Sequence, residues 1–143
     1  FLVVGVLGPA AETEARDRHL GLGVLAAHAD GPEVARPAAV GRPAEELDAT
    51  VANMRFVKPL DHALVRELAF GHDLLVTLEE NAVIGGAGAE VSRSLEEQGL
   101  TTRLLPLGLP DRFTEHGDSV TLLAQLGLDA RSIAERVKRA ILE

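Results

Sequence analysis

The sequence has 143 residues, the length of a single domain with one core. Its 46% apolar residues with only 3% aromatics predict an aliphatic core, and a net charge of −8 without a basic tract argues against nucleic acid as a partner. The absence of cysteine excludes disulfides and thiolate sites and is compatible with a cytoplasmic protein, while no apolar run reaches the ~20 residues that cross a membrane.

The chain begins inside an apolar run, residues 1–7, which ends at Gly8 and Pro9. A short continuous apolar run of this kind is typical of a strand that is buried on both faces. Position 1 is Phe, and no charged segment precedes the run. We therefore expect a piece of a longer chain that was cut within a strand.

Residues 9–44 are interpreted as an irregular insertion or linker within a single domain that spans residues 1–143. Most of this segment is rich in Ala, Gly, Pro and Arg, and it shows no sustained apolar period. Pro32, Pro37 and Pro43 would interrupt any helix there.

Regular patterning starts at Ala49, where residues 49–56 predict a strand. Asp61 then starts a helix that runs to Phe70, since Leu60, Leu64 and Leu68 recur at helical spacing and an aspartate suits a helix N-terminus. Residues 74–78 predict the next strand. A glycine-rich turn and a helix at about residues 89–98 follow.

The last part of the chain predicts one more strand and two helices. The strand covers residues 102–107, and Pro106 places it at an edge of the sheet because proline cannot donate to a ladder. A short helix is expected at residues 119–126, and Asp129 can cap a final helix with Ile133 and Val137 on its buried stripe. Alternating strands and helices predict an α/β fold: a three-layer α/β/α arrangement around a mainly parallel sheet of about four to five strands.

Four ordered sequence blocks carry the strongest pattern: Met54–Asp61, Thr77–Gly88, Leu107–Gly117 and Leu126–Ala130. Each resembles a signature of the 1-deoxy-D-xylulose-5-phosphate synthase family, and they occur in the order of that family. Because a chance match would have to recur at matching separations, residues 49–143 resemble the C-terminal domain of this family specifically. That domain is similar in outline to the C-terminal domain of transketolase and to the β subunits of 2-oxoacid dehydrogenases.

The resemblance implies the function of a larger enzyme. Such enzymes are cytoplasmic homodimers that condense pyruvate with glyceraldehyde 3-phosphate, release carbon dioxide and feed isoprenoid and thiamine synthesis. They use thiamine diphosphate and magnesium, which the first two domains bind. We therefore expect no catalytic, cofactor-binding or metal-binding residue in this chain, and its expected partners are the preceding domains and a second copy.

The candidate site residues are Arg55, Lys58, Glu80, Gly85, Gly86 and Gly88, which could form a domain interface or bind an anion. Cations near a strand end are more often a solvated face, and glycines between a strand and a helix more often permit close packing. Glu79 and Glu80 should point to opposite faces of their strand. Either carboxylate could then be buried against a partner domain, but the two cannot converge as a catalytic pair.

Two alternative functions remain open from the sequence, and so does the origin of the segment before residue 49. The chain could be a free-standing dimerisation or phosphate-binding module, or a domain of a 2-oxoacid dehydrogenase β subunit. The separation before residue 49 is about thirty residues longer than the family pattern implies, which an insertion or a reading-frame error would explain.

Overall fold

Strands and helices alternate along most of the described chain. The computed structural model describes residues 1–6, 49–114 and 116–143, so the expected insertion at residues 9–44 lies outside the described residues. The strands are β1 (Leu2–Val6), β2 (Thr50–Asn53), β3 (Leu74–Ala82) and β4 (Arg103–Leu109), and the helices are α1 (His62–Gly71), α2 (Ala87–Glu97), α3 (Ser119–Gln125) and α4 (Ala130–Leu142).

The described strands form one mixed sheet in the order β2-β1-β3-β4. Strands β3 and β4 are joined through α2 and pair in parallel, whereas β1 pairs antiparallel with both β2 and β3. Strands β2, β3 and β4 therefore point in one direction and β1 points in the other. The α/β class is confirmed, but the expected mainly parallel pairing is not observed, because the crossover helices α1 and α2 set the direction of β2, β3 and β4 but not of β1.

Apolar side chains pack on both faces of the sheet, since successive residues of a strand point to opposite sides. One cluster joins Val3 and Leu75 of the sheet to α1 and α2, through Leu64, Val65, Leu68, Val91 and Leu95. The other joins Leu74, Val76 and Leu107 to α4 through Ile133 and Val137. The apolar stripes predicted for α1 and α4 are therefore the faces that these helices bury.

Aspartates begin three of the described helices. Asp61 accepts a hydrogen bond from the backbone N–H of Leu64 at 3.0 Å, as the sequence predicts for the start of α1. Asp129 caps α4 in the same way, through the N–H groups of Arg131 and Ser132. Asp118 caps α3. Among the described residues, no helix combines the length and the apolar character that crossing a membrane requires.

Strands β3 and β4 lie where the sequence predicts them, except that β3 is longer than expected. Strand β4 lies at the sheet edge, as Pro106 predicts. Strand β3 continues beyond the predicted end at Leu78 to Ala82, and its register against β4 shifts between these two residues. This extension brings Glu79 into the strand, opposite the start of α2.

Candidate functional site

The carboxyl ends of β2, β3 and β4 lie at one end of the sheet. At this end, an open cavity of about 530 Å³ is lined by the last residues of β2 and β3. The β2–α1 loop and the β3–α2 turn form one side of the cavity, and α3 and α4 approach from the other. The carboxyl end of an open α/β sheet is the usual position of a binding site in such folds. The lining residues used below are Arg55, Val57, Glu79, Glu80, Gly85 and Gly86.

Glu79 organises the turn beside the cavity. Its side chain is buried, and its two carboxylate oxygens accept hydrogen bonds from the backbone N–H groups of Ala87 at 2.7 Å and Gly88 at 2.9 Å. These are the first two residues of α2, whose N-cap, Gly86, has no side chain to satisfy them. A carboxylate at this position also lies at the positive end of the helix dipole. Glu79 therefore caps α2 from the neighbouring strand.

The glycines of the turn leave room for this carboxylate. A Cβ atom on Gly86 would lie 2.3 Å from an oxygen of Glu79 and 2.3 Å from the carbonyl oxygen of Ala82. A Cβ atom on Gly88 would lie 2.7 Å from Thr77 Oγ1. Close packing of strand against helix, the interpretation favoured by the sequence, is therefore what Gly86 and Gly88 provide.

Some of the candidate site residues named from the sequence lie on the surface at this end of the sheet, and others are buried. Arg55, Lys58, Glu80 and Gly85 are exposed, whereas Gly86 and Gly88 are buried. Four of the candidates line the cavity: Arg55, Glu80, Gly85 and Gly86.

Lys58 does not line the cavity. A hydrogen bond from Arg93 holds the pKa of Glu90 below its ordinary value of 4.5, and the positive charges of Lys58 and His62 act in the same direction. Glu90 belongs to the first turn of α2. Of the two cations in the β2–α1 loop, Arg55 therefore lines the cavity and Lys58 acts on the charge of α2.

The two adjacent glutamates have opposite environments, as the strand period predicts. Glu79 is buried against α2 of its own chain, and Glu80 is exposed. The capping role of Glu79 is the functional feature that the sequence interpretation missed. The available signal was a glutamate a few residues before a glycine turn, since those glycines have no side chain that could cap the following helix.

The described residues provide neither a cluster of metal ligands nor unpaired N–H groups for a phosphate at the first two residues of α2. Within residues 1–6, 49–114 and 116–143, no three His, Asp or Glu side chains are placed to hold a metal ion. The N–H groups of Ala87 and Gly88, which an anion at the start of α2 would need, already donate to Glu79.

Comparison with known proteins places these features in context. A sequence model described as "Transketolase, C-terminal domain" matches residues 29–133. A curated 1-deoxy-D-xylulose-5-phosphate synthase from Thioalkalivibrio sulfidiphilus (strain HL-EbGR7) is 65% identical over 71% of this chain and 16% of its own length. Another, from Dechloromonas aromatica (strain RCB), is 58% identical over 80% of this chain and 18% of its own length. The chain thus spans about a sixth of the length of these relatives.

A solved structure gives the same fold. A protein titled "Split gene transketolase, inactive beta4 tetramer" superposes with a TM-score of 0.60 at 32% identity. The match covers 71% of this chain and 33% of that chain.

Proposed function

Because the chain belongs to the transketolase C-terminal domain family, we propose that it is the third, C-terminal domain of a 1-deoxy-D-xylulose-5-phosphate synthase. The observation that carries this proposal is 65% identity over 102 residues to a relative of that name. The whole enzyme would be cytoplasmic and would condense pyruvate with glyceraldehyde 3-phosphate, releasing carbon dioxide. Its product would supply isoprenoid and thiamine synthesis.

The chemistry of this reaction would belong to the rest of the enzyme. Thiamine diphosphate, which magnesium would anchor, would supply the nucleophile and the electron sink that decarboxylation of a 2-keto acid requires. The described residues do not fit thiamine diphosphate with its magnesium ion. The backbone N–H groups at the start of α2 already donate to Glu79, and the described residues contain no cluster of metal-binding side chains. We therefore assign no step of the reaction to this chain.

The role of the domain would be structural. The exposed Arg55, Lys58, Glu80 and Gly85 would form the contact with the preceding domains, and the buried Gly86 and Gly88 would hold the β3–α2 turn in place for it. The whole enzyme would be a homodimer. Apolar clusters on both faces of the sheet support a three-layer α/β/α arrangement. The solved structure that superposes on this chain is titled an inactive β4 tetramer of a split-gene transketolase. That title supports a role in assembly for the present domain.

A reconstitution experiment tests this function. The 143-residue chain would be mixed with the Thioalkalivibrio sulfidiphilus relative from which the 102 matching residues have been deleted. We expect product from pyruvate and glyceraldehyde 3-phosphate, with thiamine diphosphate and magnesium, only when both polypeptides are present.

Two outcomes would contradict the proposal. The first is product from the chain alone, which would place catalysis within it. The second is a chain that neither binds nor activates the truncated relative, which would favour a free-standing module.

A further inference from the structure

Three large exposed apolar side chains belong to the β2–α1 loop and the β3–α2 turn, both of which line the cavity. Phe56 is 66% exposed, Val57 38% and Ile84 74%. Val57 and Gly85 both line the cavity, and Phe56 and Ile84 are their neighbours in the chain. We refer to Phe56, Val57 and Ile84 as the apolar rim. Exposed apolar residues on the loops beside a cavity are a common mark of a protein contact.

The turn that carries Ile84 is held in place from both sides. The backbone N–H of Val83 donates to the carbonyl oxygen of Leu109 at 3.1 Å, and that of Gly86 donates to the carbonyl oxygen of Val83 at 3.3 Å. Glu79 fixes the start of α2 immediately after the turn. The exposure of Ile84 is therefore set by backbone contacts with β4 and by the cap of α2.

Charged residues accompany the apolar rim in the same loop and at the same cavity. Arg55 and Lys58 lie on either side of Phe56 and Val57 in the chain, and Glu80 lines the same cavity. An apolar centre with a charged periphery is the usual anatomy of a protein interface. Two cations beside the apolar residues would favour an acidic side chain on the partner.

We propose that the apolar rim is the centre of the surface that docks on the rest of the enzyme, an inference that rests on the proposed function. The curated relatives are about six times as long as the matched segment, so most of such an enzyme lies outside it. The occupant is an apolar surface of that remaining part, with an acidic group facing Arg55 or Lys58.

Phe70 provides a matched control. It is 76% exposed and lies in the last turn of α1. Phe56 and Val57 of the apolar rim lie in the loop before the first turn of that helix, and Ile84 lies in the β3–α2 turn. Because α1 runs back from the carboxyl end of β2, Phe70 belongs to the opposite end of the sheet. Phe70→Ser removes the same type of side chain as Phe56→Ser and leaves the apolar rim unchanged.

The test measures binding of the 143-residue chain to the truncated Thioalkalivibrio sulfidiphilus relative by titration calorimetry. We expect Phe56→Ser with Ile84→Ser to weaken binding at least about tenfold, the effect of losing an interface hot spot. Phe70→Ser should bind within about twofold of the unsubstituted chain. Circular dichroism would verify folding, and Phe56→Ser alone replaces the double variant if the latter unfolds.

Each outcome separates this inference from the proposed function. If the unsubstituted chain binds and the rim variants bind as tightly, the inference is overturned while the proposed function stands. If the unsubstituted chain does not bind, the proposed function itself fails. If the rim substitutions abolish self-association of the chain but not binding to the relative, the rim takes a second copy and the inference is overturned.

Discussion

The carboxylate of Glu79 accepts a hydrogen bond from the backbone N–H of Gly88 at 2.9 Å, across the turn that joins β3 to α2. The contact depends on glycine, because a Cβ atom on Gly88 would lie 2.7 Å from Thr77 Oγ1. That hydroxyl is buried and has no hydrogen-bond partner in the part of the chain that the structure describes. The strand and the helix thus approach too closely there for any side chain at position 88.

Removal of the Glu79 carboxylate should destabilise the fold. Glu79→Ala would leave the N–H groups of Ala87 and Gly88 without their acceptor in a buried position. We expect a loss of about 2–3 kcal/mol in the free energy of unfolding, measured by urea denaturation. Glu80→Ala, an exposed change at the next residue, should alter the free energy of unfolding by less than about 0.5 kcal/mol. Equal effects of the two changes would contradict the capping role.

A methyl group on Gly86 should be poorly tolerated. Its Cβ atom would meet an oxygen of Glu79 and the carbonyl oxygen of Ala82, both at 2.3 Å. We expect Gly86→Ala to lower the free energy of unfolding by about 2–3 kcal/mol, because the turn or the cap must move.

Gly71 supplies the control for that change. Nothing lies within 4 Å of the Cβ position of Gly71, which ends α1. Gly71→Ala should leave stability unchanged or raise it by about 0.5 kcal/mol, since alanine loses less backbone entropy on folding. A comparable loss in both variants would mean that close approach is not the reason for glycine at position 86.

The buried hydroxyl of Ser94 should stabilise the contact between α1 and α2. Its Oγ lies 2.7 Å from His62 Nδ1 and accepts a hydrogen bond from Gln98 Nε2 at 3.0 Å. We expect Ser94→Ala to lower the free energy of unfolding by about 1–2 kcal/mol, because the buried hydrogen bonds are lost. The same change at Ser92, on the more exposed side of α2, should have a smaller effect. Thermal denaturation of both variants would compare them.

The cap of α4 should make stability depend on acidic pH. Hydrogen bonds from the hydroxyl and the backbone N–H of Ser132 hold the pKa of Asp129 below its ordinary value of 3.8. A lowered folded-state pKa means that the stabilisation is fully present above pH 3.8 and is lost as the pH falls through the folded-state pKa.

Asp129→Asn separates the charge from the cap, since asparagine caps helices about as well and does not titrate. We expect this variant to show a weaker decrease of the thermal midpoint below pH 4 than the unsubstituted chain. An identical pH dependence would show that Asp129 does not contribute to it.

Much of the fold could be predicted from local patterns. The edge position of β4 follows from Pro106, and the starts of α1 and α4 follow from Asp61 and Asp129. These features depend on residues close together in the chain, where spacing and backbone chemistry are sufficient. The direction of β1 could not be predicted in this way, because no helix among the described residues links it to its neighbours in the sheet.

The candidate site was predicted only in part. The sequence indicated the glycine turn, and the structure places Gly86 and Gly88 against the side chains of β3. It did not indicate that Glu79 is the cap, because β3 was expected to end at Leu78. The gathering of Arg55, Glu80 and Gly85 around one cavity depends on the pairing of distant strands.

The sequence by itself determined the family, the α/β class and the order of elements from residue 49 onward, since motifs and periodicity are written in neighbouring residues. Only the tertiary structure decided which of two adjacent glutamates is buried and what it binds. The physical reason is that the carboxylate of Glu79 becomes a helix cap only when β3 extends to Ala82 and α2 begins at Ala87 beside it. That arrangement depends on the packing of strand against helix rather than on any local preference.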